Sequence, residues 1–365
     1  MKFSSLDKKE GTVLLMLSKA LSRSSPASEA EPEILNRNRS LIGDYLRTKT
    51  PLPTRMVSGM MSGYHMGWTD TTGAPASEAQ GKFVRPALCV WACEALGGSA
   101  HDALPAAAAI EWIHNFTLVH DDIQDGDRER RGRETVWSIW GVGQGINAGD
   151  AMFAHATAQL AQSDDDASRT LRVLRVISRA TLEVIEGQCQ DLQLEGRLDV
   201  TPLAYLRMVR AKTGALLGTS LETGAIIGGG DDDDARLFRL AGRLLGTAFQ
   251  MRDDWLGFWG DPALTGKSAT SDANRHKMSY PVVAANRVMS QLQRRRLREV
   301  FESTSSEAEP RLRELLEATG GAALTSEDPQ RYAQKAVAAL ARTRLSGESL
   351  EAFEAVADYV STRSR

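Results

Sequence analysis

Two groups of aspartates interrupt apolar stretches of this sequence, and they are where its chemistry is expected. Asp121-Asp122-x-x-Asp125 closes the run Ile113 to Val119, and Asp253-Asp254 stands between Ala248-Phe249-Gln250-Met251 and Trp255-Leu256. On a helix turning 100° per residue, Asp121 and Asp125 lie about 40° apart on one face, with Asp122 beside them. Carboxylates so close repel one another unless a cation shares them. Hard oxygen donors of this kind suit Mg²⁺, which binds few protein ligands and completes its shell with water and phosphate oxygens. Two further acidic clusters, Asp164 to Asp166 and Asp231 to Asp234, precede helical runs, where carboxylates cap helix N-termini.

An anionic ligand held through metal also needs cations. Gly81-Lys82-Phe83-Val84-Arg85-Pro86 reads as a helix start, with backbone N–H groups added to its basic side chains. Arg130-Arg131-Gly132 follows the first aspartate group, Lys212-Thr213 lies within a helix, and Lys267 and Lys277 follow the second group. Arginine grips phosphate as a planar fork and lysine as a mobile point charge.

The elements that must position these residues are helices. Stretches 86–97, 104–120, 147–162, 168–194, 203–227, 235–259, 279–302 and 330–343 carry apolar residues at i, i+3, i+4 spacing, with glycine clusters at 97–98, 228–230 and 320–321 as stops. Alternating strand patterns are absent, which predicts an all-α fold. Residues 1–34 read as a flexible N-terminal extension with a polar linker, and 35–365 as one large helical domain. Cys89 and Cys93 read as buried small residues of a core helix, and Arg294-Arg295-Arg296 as a solvated helix face.

Composition excludes other classes. With 44 Lys and Arg against 47 Asp and Glu, the net charge of −3 offers no field for nucleic acid. No apolar run approaches the roughly 18 residues of a membrane span. Three cysteines are too few for a disulfide framework, so a cytoplasmic setting is expected.

In this order and spacing the motifs resemble those of the trans-isoprenyl diphosphate synthases (polyprenyl synthetases), most closely the bacterial geranylgeranyl diphosphate synthases. Leu118-Val119-His120-Asp121-Asp122-Ile123-Gln124-Asp125 with Arg130-Arg131-Gly132 looks like the first aspartate-rich motif, and Phe249-Gln250-Met251-Arg252-Asp253-Asp254 like the second. The resemblance implies a single antiparallel helical bundle around a deep central cavity, and a homodimer. It implies three Mg²⁺ ions held by Asp121, Asp122, Asp125, Asp253 and Asp254, with Lys212 also catalytic. Lys82, Arg85, His114 and Arg131 would bind isopentenyl diphosphate. Arg130, Gln188, Asp191, Lys212, Thr213, Gln250, Lys267 and Lys277 would hold an allylic diphosphate. The second motif departs from the family pattern, with Gly257 in place of its usual third aspartate. Ionisation of the allylic C–O bond, attack by the second substrate and proton loss would add five carbons per cycle. By resemblance, a single aromatic five residues before Asp121, Phe116, marks the C20-forming type, with Thr117 beside it and Trp112 as a deeper floor. Phe116 as plain core packing stays open. Two alternatives also stand: a class I terpene cyclase on the same fold, and a non-catalytic modulating subunit of a prenyl synthase. Retention of Lys82, Arg85, His114 and Arg131 argues against the first, and retention of the carboxylates against the second.

Overall fold

The computed structural model describes residues 30–78, 81–161, 166–260, 277–303 and 308–364. Their helices are, in order, α1 (Glu33–Arg37), α2 (Arg39–Thr48), α3 (Val57–His65), α4 (Val84–Ala95), α5 (Ala100–Asp125), α6 (Val136–Trp140), α7 (Val142–Ala161), α8 (Ala167–Leu194), α9 (Pro202–Val209), α10 (Ala215–Ile227), α11 (Asp232–Trp259), α12 (Tyr280–Val288), α13 (Gln291–Phe301), α14 (Ala308–Ala318), α15 (Gly321–Ser326), α16 (Asp328–Leu340) and α17 (Gly347–Thr362). The fold is all-α. Its one sheet among the described residues is a two-strand hairpin, β1 (Glu129–Arg130) and β2 (Arg133–Glu134). No helix among these residues is long and apolar enough to cross a membrane.

α10 is the axis of the bundle. All of its residues, Ala215 to Ile227, are buried. A helix apolar on every side must be surrounded, and α4, α5, α8 and α11 pack around it. The main core runs from α1 to α11 and takes in α16 and α17. A second apolar cluster joins α9 and the end of α11 to α12, α13 and α14. The two long carboxylate-bearing helices are defined at their ends by local chemistry. α5 begins with a reciprocal Ser99–Asp102 capping box and stops at Gly126, whose φ of 66° is the left-handed geometry of a helix C-terminus. α11 begins with the Asp231 side chain accepting from the Asp234 amide, and α8 with Asp166 accepting from Arg169. The acidic clusters at 164–166 and 231–234 thus cap helices where described; Asp164 and Asp165 lie outside the described residues. Cys89 and Cys93 are buried and unpaired on α4, and Arg294, Arg295 and Arg296 are exposed on α13.

The fold departs from the sequence expectation in three places. The stretch 279–302 is two helices, because Ser290 and Gln293 form a second capping box that starts α13 afresh. The stretch 203–227 is interrupted by a π-helical turn, Arg210–Gly214, between α9 and α10. α1 starts at Glu33, inside the segment expected to be linker. The π turn answers to a close approach. A Cβ on Gly187 of α8 would stand 2.2 Å from the Lys212 amide nitrogen and 2.7 Å from the Ala211 carbonyl carbon, so only glycine lets α8 press against the turn that carries Lys212.

Candidate active site

α5 presents its carboxylates on two different faces. Asp121 and Asp125 lie one turn apart on one face, and Lys277 Nζ lies 3.1 Å from Asp125 Oδ2. Burial raises the Asp121 pKa; neighbouring Asp125 pushes the same way, while Lys212, Arg130 and Lys277 oppose it. Asp122 turns away beneath the hairpin. It is 1% exposed, and its Oδ1 accepts from Arg130 Nε at 2.7 Å. Burial pushes its pKa up to about 6 against the pull of Arg130. Its Oδ2 is buried with no partner among the described residues.

The hairpin explains the Arg-Arg-Gly sequence. Glu129 pairs with Glu134 and Arg130 with Arg133, leaving Arg131 and Gly132 as a two-residue loop. Their φ values of 54° and 74° are those a tight hairpin turn of this twist demands. Arg131 accepts a left-handed backbone that disfavours a side chain, and so projects from the tip towards α4 and α5. The segment Tyr64-His65-x-Gly67-Trp68, to which the sequence assigns no role, clamps this hairpin. Arg133 lies 4.0 Å over the Tyr64 ring and donates to the Tyr64 carbonyl at 3.0 Å, while the Tyr64 hydroxyl donates to the Glu134 carbonyl at 2.9 Å.

The expected isopentenyl diphosphate residues meet in one cleft of about 140 Å³, lined by Lys82, Arg85, His114 and Arg131, together with Glu111, Phe249 and Arg363. Phe83, at φ 51°, turns the chain into α4 between Lys82 and Arg85. Arg85 Nη1 lies 3.0 Å from His114 Nε2. Burial drives the His114 pKa well down and Arg85 reinforces it, so the imidazole is a neutral acceptor. Glu111, one turn before His114, is 2% exposed and accepts from Asn115 Nδ2 at 3.0 Å; Asn115 Oδ1 in turn meets His65 Nε2 at 3.1 Å. A Cβ on Gly81 would stand 3.2 Å from Arg131 Nη2 and 3.6 Å from Glu111 Oε1, so glycine leaves the rim open to these groups.

The residues expected at the allylic site are tied into a second network. Lys212 Nζ reaches Asp191 Oδ2 at 2.6 Å. Thr213 Oγ1 donates to Gln250 Oε1 at 2.8 Å, and Gln250 Nε2 donates to Asp254 Oδ1 at 2.8 Å. Gln188 is buried and donates to Gln124 Oε1 at 2.8 Å. Lys267 lies outside the described residues. Asp253 is paired with Arg363.

Several of the expected site residues also hold protein partners. Asp254, expected beside a metal, has both oxygens on protein donors: Oδ1 takes Gln250, and Oδ2 takes the Tyr205 hydroxyl at 2.7 Å and the Tyr280 amide at 2.8 Å. Those contacts orient Gln250 and the chain after Lys277. Arg130, expected on the allylic diphosphate, holds Asp122. Phe116 and Asp121 do not share a face, since five residues turn a helix by 500°. Phe116 packs edge-on against Phe153 of α7 and His120, with centroids 5.5 and 5.7 Å away. Thr117 holds the row below Asp121, its hydroxyl donating to the His114 carbonyl at 2.7 Å. Trp112 is fully buried, donates to Thr50 Oγ1 at 3.1 Å and packs against Trp68 and His155. Gly257 lies in the last turn of α11 and presents no side chain.

Among the described residues no three His, Cys, Asp or Glu side chains converge as a ready-made ion cage. The donors present nevertheless fit Mg²⁺. They are all oxygens, and Asp121 is a carboxylate whose charge burial and Asp125 disfavour until a cation arrives. An ion that takes one or two carboxylates and completes its shell from phosphate needs no closed cage.

Sequence reasoning missed Glu111, Tyr205, Phe153 and Arg363. Glu111 was legible, three residues before His114 on the same apolar helix. Arg363 carries no local signal, since only the return of α17 brings it to α11.

A helical bundle with two carboxylate-bearing helices flanking a basic cleft defines the isoprenoid diphosphate synthases, and the chain belongs to the polyprenyl synthetase family. A model of that family matches residues 68–319. The chain is 42% identical over 277 residues to a geranylgeranyl diphosphate synthase of Mycobacterium tuberculosis, covering 74% of this chain and 77% of that one. It is 37% identical over 309 residues to a (2E,6E)-farnesyl diphosphate synthase of Mycobacterium bovis, covering 82% and 84%. The crystal structure of a polyprenyl synthetase from Streptomyces coelicolor superposes with a TM-score of 0.83 at 37% identity, over 90% of this chain and 99% of that one. The chain is therefore a prenyltransferase of the trans-prenyl diphosphate synthase type.

Proposed function

We propose that this enzyme is a Mg²⁺-dependent geranylgeranyl diphosphate synthase, joining isopentenyl diphosphate to a shorter allylic diphosphate. The observation that carries the reading is the meeting of Lys82, Arg85, His114 and Arg131 in one cleft beside the carboxylates of α5 and α11. A cyclase that ionises one diphosphate needs no second cationic cleft.

Asp121, Asp125 and Asp253 would hold the metal, which supplies Lewis-acid neutralisation of the leaving diphosphate. Lys212 and Lys277 stand near Asp121 and Asp125 and add positive charge where the diphosphate develops negative charge. Gln250 is held in place by Thr213 and Asp254. Arg85, Lys82 and Arg131 anchor the second diphosphate, and neutral His114 fixes the Arg85 fork. Apolar walls keep water from the allylic cation. The proton is released to the departed diphosphate.

The C20 product is supported by the aromatic pair that Phe116, five residues before Asp121, forms with Phe153 of α7. Phe116→Ala removes one ring of it, and the expected outcome is a shift of product from C20 to C25 or longer, read by chromatography of the dephosphorylated prenols. An unchanged C20 product would place the floor elsewhere.

A cytoplasmic homodimer completes the reading. On α8, Leu182, Ile185 and Leu192 are exposed at helical spacing, and Val142, Ile146 and Phe153 form a similar row on α7. Exposed apolar rows of this extent on adjacent helices mark an interface. Leu182→Glu with Ile185→Glu is expected to convert the particle from about 80 kDa, twice the chain mass of 39.8 kDa, to the monomer in light scattering. A wild-type monomer would contradict the assignment.

A further inference from the structure

The end of the chain lies across the second acidic helix. α17 finishes at Thr362, and the carbonyls of Thr362 and Arg363 accept from Arg252 at 3.3 and 2.8 Å, so α11 grips the backbone. The Arg363 guanidinium lies 4.2 Å from the centroid of the Phe249 ring and pairs with Asp253. Its side chain is only 9% exposed, and its Nε is buried without a partner among the described residues. The same side chain lines the cleft that holds Lys82, Arg85 and His114. Arg363 therefore stands at the seam between the two diphosphate sites, on a carboxylate that the first of them needs.

A guanidinium and a divalent cation compete for the same lone pairs of one carboxylate. We propose that Arg363 is a positioning residue that neutralises Asp253 while the site is empty and yields it when a metal-bound diphosphate arrives. Filling the acidic site then frees the terminal turn above the isopentenyl diphosphate cleft, which couples the order of substrate entry to the chain end. The inference rests on Asp253 being a metal ligand, as the proposed function has it.

The test uses the full chain, with Mn²⁺ and inorganic pyrophosphate as the probe, and two readouts other than turnover. The first is hydrogen exchange at the amides of residues 361–364, where the Arg363 N–H is held by the Tyr359 carbonyl at 2.9 Å. The second is the Mn²⁺ half-saturation point by electron paramagnetic resonance. Mn²⁺ with pyrophosphate is expected to speed exchange at these amides by about tenfold, and Arg363→Gln to lower the half-saturation point by about fivefold, the lower end of ordinary coupling between sites. Asp253→Asn should loosen the terminal turn with no metal present. Mn²⁺ binding that leaves the terminal amides protected, or Arg363→Gln binding Mn²⁺ no more tightly than wild type, overturns the latch alone. A wild-type protein that takes up no Mn²⁺ with pyrophosphate overturns the metal reading of Asp253 and the latch with it.

Discussion

Asp121→Ala is expected to reduce kcat by about 10³-fold while the protein stays folded and at least as heat-stable as wild type. The rate follows from loss of a carboxylate that would hold the metal at the leaving diphosphate, at ~4 kcal/mol of transition-state stabilisation. The stability follows from opposite physics. Burial disfavours the Asp121 charge and Asp125 adds repulsion, against which Lys212, Arg130 and Lys277 only partly compensate. Alanine removes that unfavourable charge. Steady-state kinetics beside a thermal melt separates the two effects. A variant that loses activity because it melts earlier, or keeps more than a tenth of wild-type kcat, contradicts the assignment. Asp122→Ala should behave differently, because Asp122 is the buried partner of Arg130 and holds the hairpin root.

The second large effect is expected at the basic cleft. Arg85→Gln should raise KM for isopentenyl diphosphate by about 10²-fold, with kcat and the allylic KM changed only a few-fold. Loss of a partly buried, charge-assisted fork on a phosphate costs ~3 kcal/mol. The selectivity follows from geometry, since Arg85 faces the cleft through His114 and lies apart from the Lys212–Asp191 and Thr213–Gln250 pairs. Initial rates with one substrate varied and the other saturating give both constants. Equal shifts in both KM values would mean that the two diphosphates do not occupy separate sites.

Periodicity made the bundle legible, because α5, α8 and α11 pack against a common axis and write that burial into their sequences. It could not show where a helix is redirected without losing its pattern. The π turn at Lys212 and the restart at Ser290 keep their apolar spacing, and only the Gly187 contact and the Ser290–Gln293 box reveal them. The site was legible in its residue types because buried carboxylates and clustered arginines are conspicuous. Their pairings were not. Helical rotation places Asp122 under the hairpin and Phe116 on the α7 flank, while the left-handed Arg131 depends on a turn that two-residue strands barely announce. Asp254 is spent on Tyr205 and the Tyr280 amide, contacts that arise only when α9, α11 and α12 meet. Arg363 comes from the far end of the chain, beyond the reach of any local pattern.

The central claim is that two diphosphates react side by side and that one contributes five carbons to the other. It is tested most directly by incubating the purified protein with Mg²⁺, farnesyl diphosphate and deuterated isopentenyl diphosphate, and weighing the product. The expected result is a linear C20 diphosphate carrying one labelled five-carbon unit, formed only when both substrates are present. An unlabelled cyclic hydrocarbon made from farnesyl diphosphate alone, or no turnover with either substrate, would contradict it.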